Sequence, residues 1–287
     1  MRPTAMFVTS GRAQLAYEIT GGNDGADVLL IHAGVTDRRS WRHVVERLAR
    51  RHRCIAYDVR SYGETQYERE DGWSPIADAV AVLDAADVGQ AVIVASSMGG
   101  QTAIDLALGH PDRVAGLVLI GPAIRGAPYP ELVTGPTAEL NSKIEAAEAA
   151  DDVDEVNRLE AWMWLDGPAA DEGRVVGHAR ELFLEMNGRA LRAEDPGKQA
   201  EIPAAWPRLS QIAAPMLMMI GRLDAEDIAA IDEPASRLIP NARLVWLDGV
   251  AHLPQLEGDA TTLEEIAKFV DGQHAGYRNQ STGMSDQ

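Results

Sequence analysis

The stretch Val92-Ile-Val-Ala-Ser-Ser97-Met-Gly-Gly-Gln-Thr102 is an apolar, β-branched run that breaks onto a serine and leaves at once through two glycines into a helical pattern. A strand that turns directly into a helix is the building unit of a parallel sheet, because parallel strands need a crossover connection. Ala95 and Gly99 stand two positions to either side of Ser97, a small-x-Ser-x-small version of the G-x-S-x-G turn. Gly100 lets the helix start close against the sheet, and Ala103, Leu106 and Ala107 carry it toward Pro111. A serine hydroxyl is a weak nucleophile at neutral pH. It becomes effective on a sharp turn, where a base reaches Oγ and free backbone N–H groups face the bond being broken. A serine between strand and helix can equally be a helix cap, so reading Ser97 as a nucleophile depends on partners elsewhere in the chain.

The rest of the chain alternates in the same way. Residues 5–9 and 12–19 read as a hairpin around Gly11, and 28–31 as a buried strand. The helix from about Ser40 carries Trp41, Val44, Val45, Leu48 and Ala49 on one stripe. A strand over 54–58 is followed by a helix with Ser74 as N-cap and Pro75 at the first helical position, and a strand over 114–120 ends at Gly121-Pro122. From 123 to 208 the strand rhythm stops, and two sets of residues (Val156, Leu159, Met163; Val175, Ala179, Leu182, Met186) mark helical faces. Strands resume over 215–220 and 242–247, with a helix near 227–238 between them. Thr261 or Thr262, with glutamate three residues on, opens a last helix as a capping box. The pattern predicts an α/β fold, a mostly parallel sheet with helices on both faces. Residues 1–122 and 209–274 form its core, 123–208 a helical insertion, and 275–287 a polar tail expected to fray.

A chain of 287 residues suffices for one large α/β domain with an insertion. Its formal net charge of -18 sets it against nucleic acid and anionic membrane surfaces, which would repel it. The single cysteine, Cys54, lies in a strand-like run and reads as a small buried residue. No stretch approaches the ~18 apolar residues of a membrane span, and the N-terminal residues lack an apolar signal core. A soluble, cytoplasmic protein, monomeric or homodimeric, is the expectation. No histidine pair or histidine–carboxylate cluster has metal-ligand spacing, so neither metal nor cofactor is expected.

In parallel sheets, sites form beyond the carboxyl ends of the strands, which gives a filter for partners of Ser97. Two positions pass: Asp224 in Gly221-Arg-Leu-Asp224, and His252 in Asp248-Gly-Val-Ala-His252. Asp224 can also be read as an N-cap, with Asp227 the better cap and the second-choice acid, and His252 as an ordinary loop histidine. Gly121-Pro122 offers no carboxylate after its strand.

These residues resemble the α/β-hydrolase superfamily, and within it the cap-bearing esterase, lactonase and haloperoxidase-like members. Leu30-Ile-His32-Ala-Gly34, with Trp41 nine residues after the histidine, is similar to the His-Gly oxyanion loop, with Ala33 where glycine is usual. Asp58-Val-Arg60-Ser-Tyr-Gly63-Glu-Thr65 is similar to the Asp-x-Arg-Gly-x-Gly-x-Ser segment, departing from it at Ser61 and Thr65. Val250-Ala-His252-Leu-Pro-Gln-Leu-Glu257 looks like the family's histidine loop. The resemblance implies that 123–208 is a cap and that Ser97, His252 and Asp224 form a triad. It further implies that the backbone N–H groups of Gly34 and Met98 form the oxyanion hole. A small ester or lactone is the implied substrate. C–C bond hydrolysis, cofactor-free haloperoxidase or perhydrolase chemistry, and a ligand-binding receptor without turnover are the alternatives. Trp162, Met163 and Trp164 are candidates to wall the substrate pocket, and Arg38, Arg39 and Arg125 to hold a substrate carboxylate; His32 is expected to be structural.

Overall fold

The computed structural model describes residues 5–22, 24–131 and 133–282. β1 (Met6–Ser10) and β2 (Ala13–Gly21) form the expected hairpin. There follow β3 (Asp27–Ile31), α1 (Arg42–Leu48) behind a 3-10 turn at Arg38–Trp41, β4 (Arg53–Tyr57) and β5 (Gln66–Tyr67). α2 (Pro75–Ala85), β6 (Ala91–Ser96), α3 (Met98–Gly109) and β7 (Val114–Ile120) complete the first half. Between β7 and β8 the described residues hold helices α4 (Gly135–Ala149), α5 (Val153–Ala161) and α6 (His178–Ala190), with a π-helical turn at Trp162–Asp166. β8 (Met216–Gly221), α7 (Glu226–Leu238), β9 (Ala242–Leu247), α8 (Pro254–Glu257) and α9 (Ala260–Thr282) finish the chain.

The sheet order is β1-β2-β4-β3-β6-β7-β8-β9, with β5 paired to β2. Pairings from β4 through β9 are parallel; those of β2 are antiparallel. Period-two alternation sends Leu29, Ile31, Ile93 and Ala95 to one face, under α2, α3 and α7. Val28, Leu30, Val92 and Val94 go to the other, under α1 and α9. Both faces are covered, which is why these strands read as continuous apolar runs. The chain leaves β3 toward β4 on one side and reaches β6 on the other. The loops after β3 and β6 therefore open a crevice at the carboxyl edge, where ligands enter sheets of this kind.

Local signals hold at most boundaries. Ser74 caps α2, its Oγ accepting from the Ala77 N–H at 3.3 Å, and the stripe from Trp41 to Leu48 is buried. Two expectations are corrected. α9 is capped by Asp259, whose Oδ2 accepts from both N–H and Oγ1 of Thr262 at 2.7 Å, because an aspartate two residues before the first threonine outcompetes them. The backbone of α9 also runs to Thr282, through most of the segment expected to fray; 283–287 lie outside the described residues. The two-residue strand β5 gives no sequence signal, since its pairing with β2 is entirely non-local.

One core residue is out of place. Asp232 on α7 is fully buried, neither carboxylate oxygen has a hydrogen-bond partner, and burial, with Asp224 second, holds its pKa well above the usual carboxylate range. The unfolded chain therefore releases this proton at lower pH than the folded one, and the native state loses stability as pH rises above the unfolded carboxylate value. Asp232→Asn is expected to raise stability by about 1–2 kcal/mol at pH 8 and by much less at pH 4, in urea titrations at the two pH values.

Candidate active site

Ser97 links the end of β6 to α3 with φ +53° and ψ −118°, a left-handed conformation that costs a non-glycine residue roughly 1–3 kcal/mol. Neighbours hold it there. Its N–H donates to the Ile120 carbonyl at 3.0 Å, and its own carbonyl accepts from Gln101 and Ala123. A Cβ on Gly99 would stand 2.3 Å from the Ile31 carbonyl oxygen, so only glycine lets α3 press this close to β3. The side chain of Ser97 makes no capping hydrogen bond, leaving Oγ uncommitted to the helix.

His252 follows β9 and Asp224 follows β8. His252 Nδ1 donates to Asp224 Oδ2 at 2.8 Å, both side chains being 2 % exposed. Asp224 Oδ1 accepts from the Ala225 N–H at 2.8 Å, which fixes the carboxylate plane and leaves its second oxygen for the imidazole. Asp227 lies in the first turn of α7 with Oδ1 buried and unpartnered; burial pushes its carboxyl up, and it makes no bond to His252. Gly121 joins this pair to the serine. It follows Ile120, the residue that anchors the Ser97 N–H, and a Cβ there would stand 2.9 Å from both Cε1 and Nδ1 of His252 and 3.3 Å from Asp224 Oδ2. With φ +47° as well, Gly121→Ala is expected to displace the imidazole and reduce kcat about 10²-fold, with binding of a non-reactive substrate analogue retained.

The loop after β3 packs against the residue after Ser97. A Cβ on Gly34 would be 3.6 Å from Met98 Cβ and 3.4 Å from Tyr62 Oη, so Gly34 sits close to the side chains of both. His32 is tied down as expected: Nδ1 donates to the Ala33 carbonyl at 2.8 Å and Nε2 accepts from the Val59 N–H at 3.0 Å. Burial pushes its pKa down, consistent with a neutral ring in that one tautomer.

The other candidates separate. Trp164 lies against His252, ring centroids 4.9 Å apart. Trp162 instead donates Nε1 to the Ala170 carbonyl at 2.9 Å, with Lys143 Nζ 5.1 Å from the ring centre, and Met163 is buried among Leu140, Val156 and Leu159. Helical periodicity cannot distinguish the side facing the site from the side facing the core. Arg38 is enclosed by Asp58, Glu18 and Glu64, Arg39 pairs with Asp37 and Glu185, and Arg125 pairs with Asp105 on α3. These arginines answer internal carboxylates, which a charge count along the sequence does not reveal. Sequence reasoning missed Glu160, Asn187 and Tyr62; only the packing of α5 and α6 over the loops brings them together. Among the described residues no group of three or more His, Cys, Asp or Glu could hold a metal ion, and no helix is long and apolar enough to cross a membrane.

The chain is similar to known proteins along most of its length. It is 27% identical over 249 residues to the pimeloyl-[acyl-carrier protein] methyl ester esterase of Nitrosomonas europaea, covering 85% of this chain and 94% of that enzyme. It is 41% identical over 115 residues to the 2-hydroxymuconate semialdehyde hydrolase of Pseudomonas sp. (strain CF600), covering 37% of this chain and only 39% of that enzyme. A solved structure described as an N-acyl homoserine lactone degrading enzyme superposes with a TM-score of 0.72 at 25% identity, over 92% of this chain and all of the other. The model of the alpha/beta hydrolase family matches residues 28–265, from β3 through β9, taking in the strained serine and the histidine loop. The chain is a hydrolytic enzyme that belongs to the alpha/beta hydrolase family.

Proposed function

We propose that the protein is a serine hydrolase that cleaves a small ester or lactone through Ser97, His252 and Asp224. The observation that carries this is the buried Nδ1 to Oδ2 hydrogen bond between His252 and Asp224, one residue removed from the backbone anchor of a strained serine. With Nδ1 engaged as donor, Nε2 is the basic nitrogen. It takes the Oγ proton as Ser97 attacks the carbonyl carbon, and the carbonyl π pair moves onto oxygen. The backbone N–H groups of Met98 and Gly34 receive that oxyanion; one such donor is worth about 3 kcal/mol. Collapse of the tetrahedral adduct expels the alcohol, protonated by His252, and leaves an acyl-serine. Water, deprotonated by His252, then adds to the acyl carbon, and the proton returns to Oγ as the acid departs. Asp224 holds the tautomer and stabilises the imidazolium.

Helices α4 to α6 serve as the cap in this reading, with Trp164 closing over His252 and excluding water from it. Esterase chemistry is favoured by the relative that is similar over nearly its full length, and lactone cleavage by the solved structure; similarity to the semialdehyde hydrolase is confined to part of each chain. A fluorophosphonate probe followed by mass spectrometry tests the nucleophile, with short p-nitrophenyl esters and a lactone panel run on the same sample. An adduct on Ser97 with turnover is expected. Absence of an adduct in folded protein would leave a ligand-binding role instead.

A further inference from the structure

A polar network is built into the helical segment above the oxyanion loop. Asn187 on α6 is 1% exposed and donates Nδ2 to Asn157 Oδ1 at 3.1 Å and to Glu160 Oε2 at 2.6 Å, while Asn157 Nδ2 donates to the Leu184 carbonyl at 2.9 Å. One residue earlier, Met186 Sδ accepts from the Asp37 N–H at 3.4 Å, which seats α6 on the loop that follows Gly34. That bond ties the helix carrying Asn187 to the loop after β3.

Glu160 is the member that faces inward. It stands four residues before Trp164, at the junction of α5 with the π turn, so the two side chains share one face of the segment. Trp164 on that face meets the His252 ring. Tyr62, whose Oη is 3.9 Å from Met98 Sδ, feels the Glu160 charge: its pKa is pushed up to about 12, by burial first and by that charge second. A π turn widens the helix by a residue per turn and is found disproportionately at functional sites. Here the turn carries Trp164 onto the His252 ring.

The carboxylate of Glu160 is left half-satisfied. Among the described residues Asn187 is its one donor, bonded to Oε2; no cation pairs with it, and burial, opposed by that bond, pushes its carboxyl up. Its Oε1 has no donor among the described residues and is not sealed from solvent, so it is open to a donor carried by a ligand.

We propose that Glu160 is a specificity residue that contacts substrate, its Oε1 accepting a hydrogen bond from a hydroxyl or ammonium group carried close to the reacting carbonyl. The substrates are then hydroxyacyl or aminoacyl esters, or the corresponding hydroxylated lactones, in preference to carboxylate-bearing ones. This inference rests on the serine-hydrolase reading.

The test uses three p-nitrophenyl esters of matched length, those of butyrate, 3-hydroxybutyrate and hydrogen succinate, with wild type, Glu160→Gln and Glu160→Leu. Wild type is expected to favour the hydroxy ester over butyrate by at least about 10-fold in kcat/KM, mostly through KM. Glu160→Gln, which keeps an acceptor oxygen, retains most of that ratio, and Glu160→Leu brings it to about one. Unchanged ratios in Glu160→Leu, with its melting curve intact, overturn the proposal while Ser97-dependent turnover keeps the hydrolase reading standing. A succinyl ester cleaved faster than the hydroxy ester overturns it too and points to Arg189, an exposed guanidinium lining the neighbouring cleft with Ser61, Tyr62 and Tyr67. If no ester turns over and Ser97 is not labelled, both readings fall.

Discussion

Ser97→Ala and His252→Ala each lower kcat by about 10⁶-fold on any ester the wild type cleaves, and the double variant loses little more than either single one. In the proposed triad the two side chains act as one unit: without Oγ there is nothing for the imidazole to deprotonate, and without the imidazole the hydroxyl stays a weak nucleophile. Losses that multiply would mean independent roles and would contradict the triad. Asp224→Asn belongs to the same experiment and is expected to cost about 10⁴-fold with the fold intact. An amide in place of the carboxylate presents the wrong group to Nδ1 and turns the ring to its other tautomer. Asp227 does not replace the lost acid, since it makes no bond to His252. Full activity in Asp224→Asn would move the assignment to Asp227.

Arg38→Met is the second large effect, here on stability. Arg38 is 8% exposed, and its guanidinium meets Asp58, Glu18 and Glu64 at the start of the turn that leads to α1. Asp58 is fully buried and also accepts from the backbone N–H groups of Arg38 at 2.9 Å and Glu64 at 2.8 Å. Removing the cation leaves Asp58 as an uncompensated buried charge, which costs about 3–5 kcal/mol in chemical denaturation. Burial and nearby Asp37 already raise the Asp58 pKa against the pull of Arg38, so in the variant it rises further. The variant's deficit is therefore expected to be largest at neutral pH and to shrink on acidification, as Asp58 takes up its proton. A deficit independent of pH would show that packing of the arginine stem, and not its charge, is what Asp58 and its neighbours require.

Where a functional requirement is local, the chain announces it. The Ser97 turn needs an apolar strand, a serine and small neighbours within a few residues, and the same few residues are what the backbone needs to make the turn. Alternating apolar runs give the parallel sheet, and the rule that sites lie beyond strand ends is enough to single out Asp224 and His252. The boundary errors are also local in origin: at α9 an aspartate one alanine away from two threonines took the cap.

The sheet, its layers and the order of serine, acid and histidine are legible along the chain, because strand and helix periodicities and turn residues act over distances shorter than one element. What surrounds those three residues comes from packing between elements. Gly121 matters because β7 and β9 bring it against the imidazole, and Arg38, Arg39 and Arg125 are engaged because carboxylates far along the chain fold onto them. Trp164 meets His252 while Trp162, two positions away, faces Lys143, and Glu160 accepts from Asn187 on another helix. Each of these depends on how a helical segment docks across a sheet edge. Docking is set by side-chain packing among residues distant in sequence, and periodicity carries no record of it.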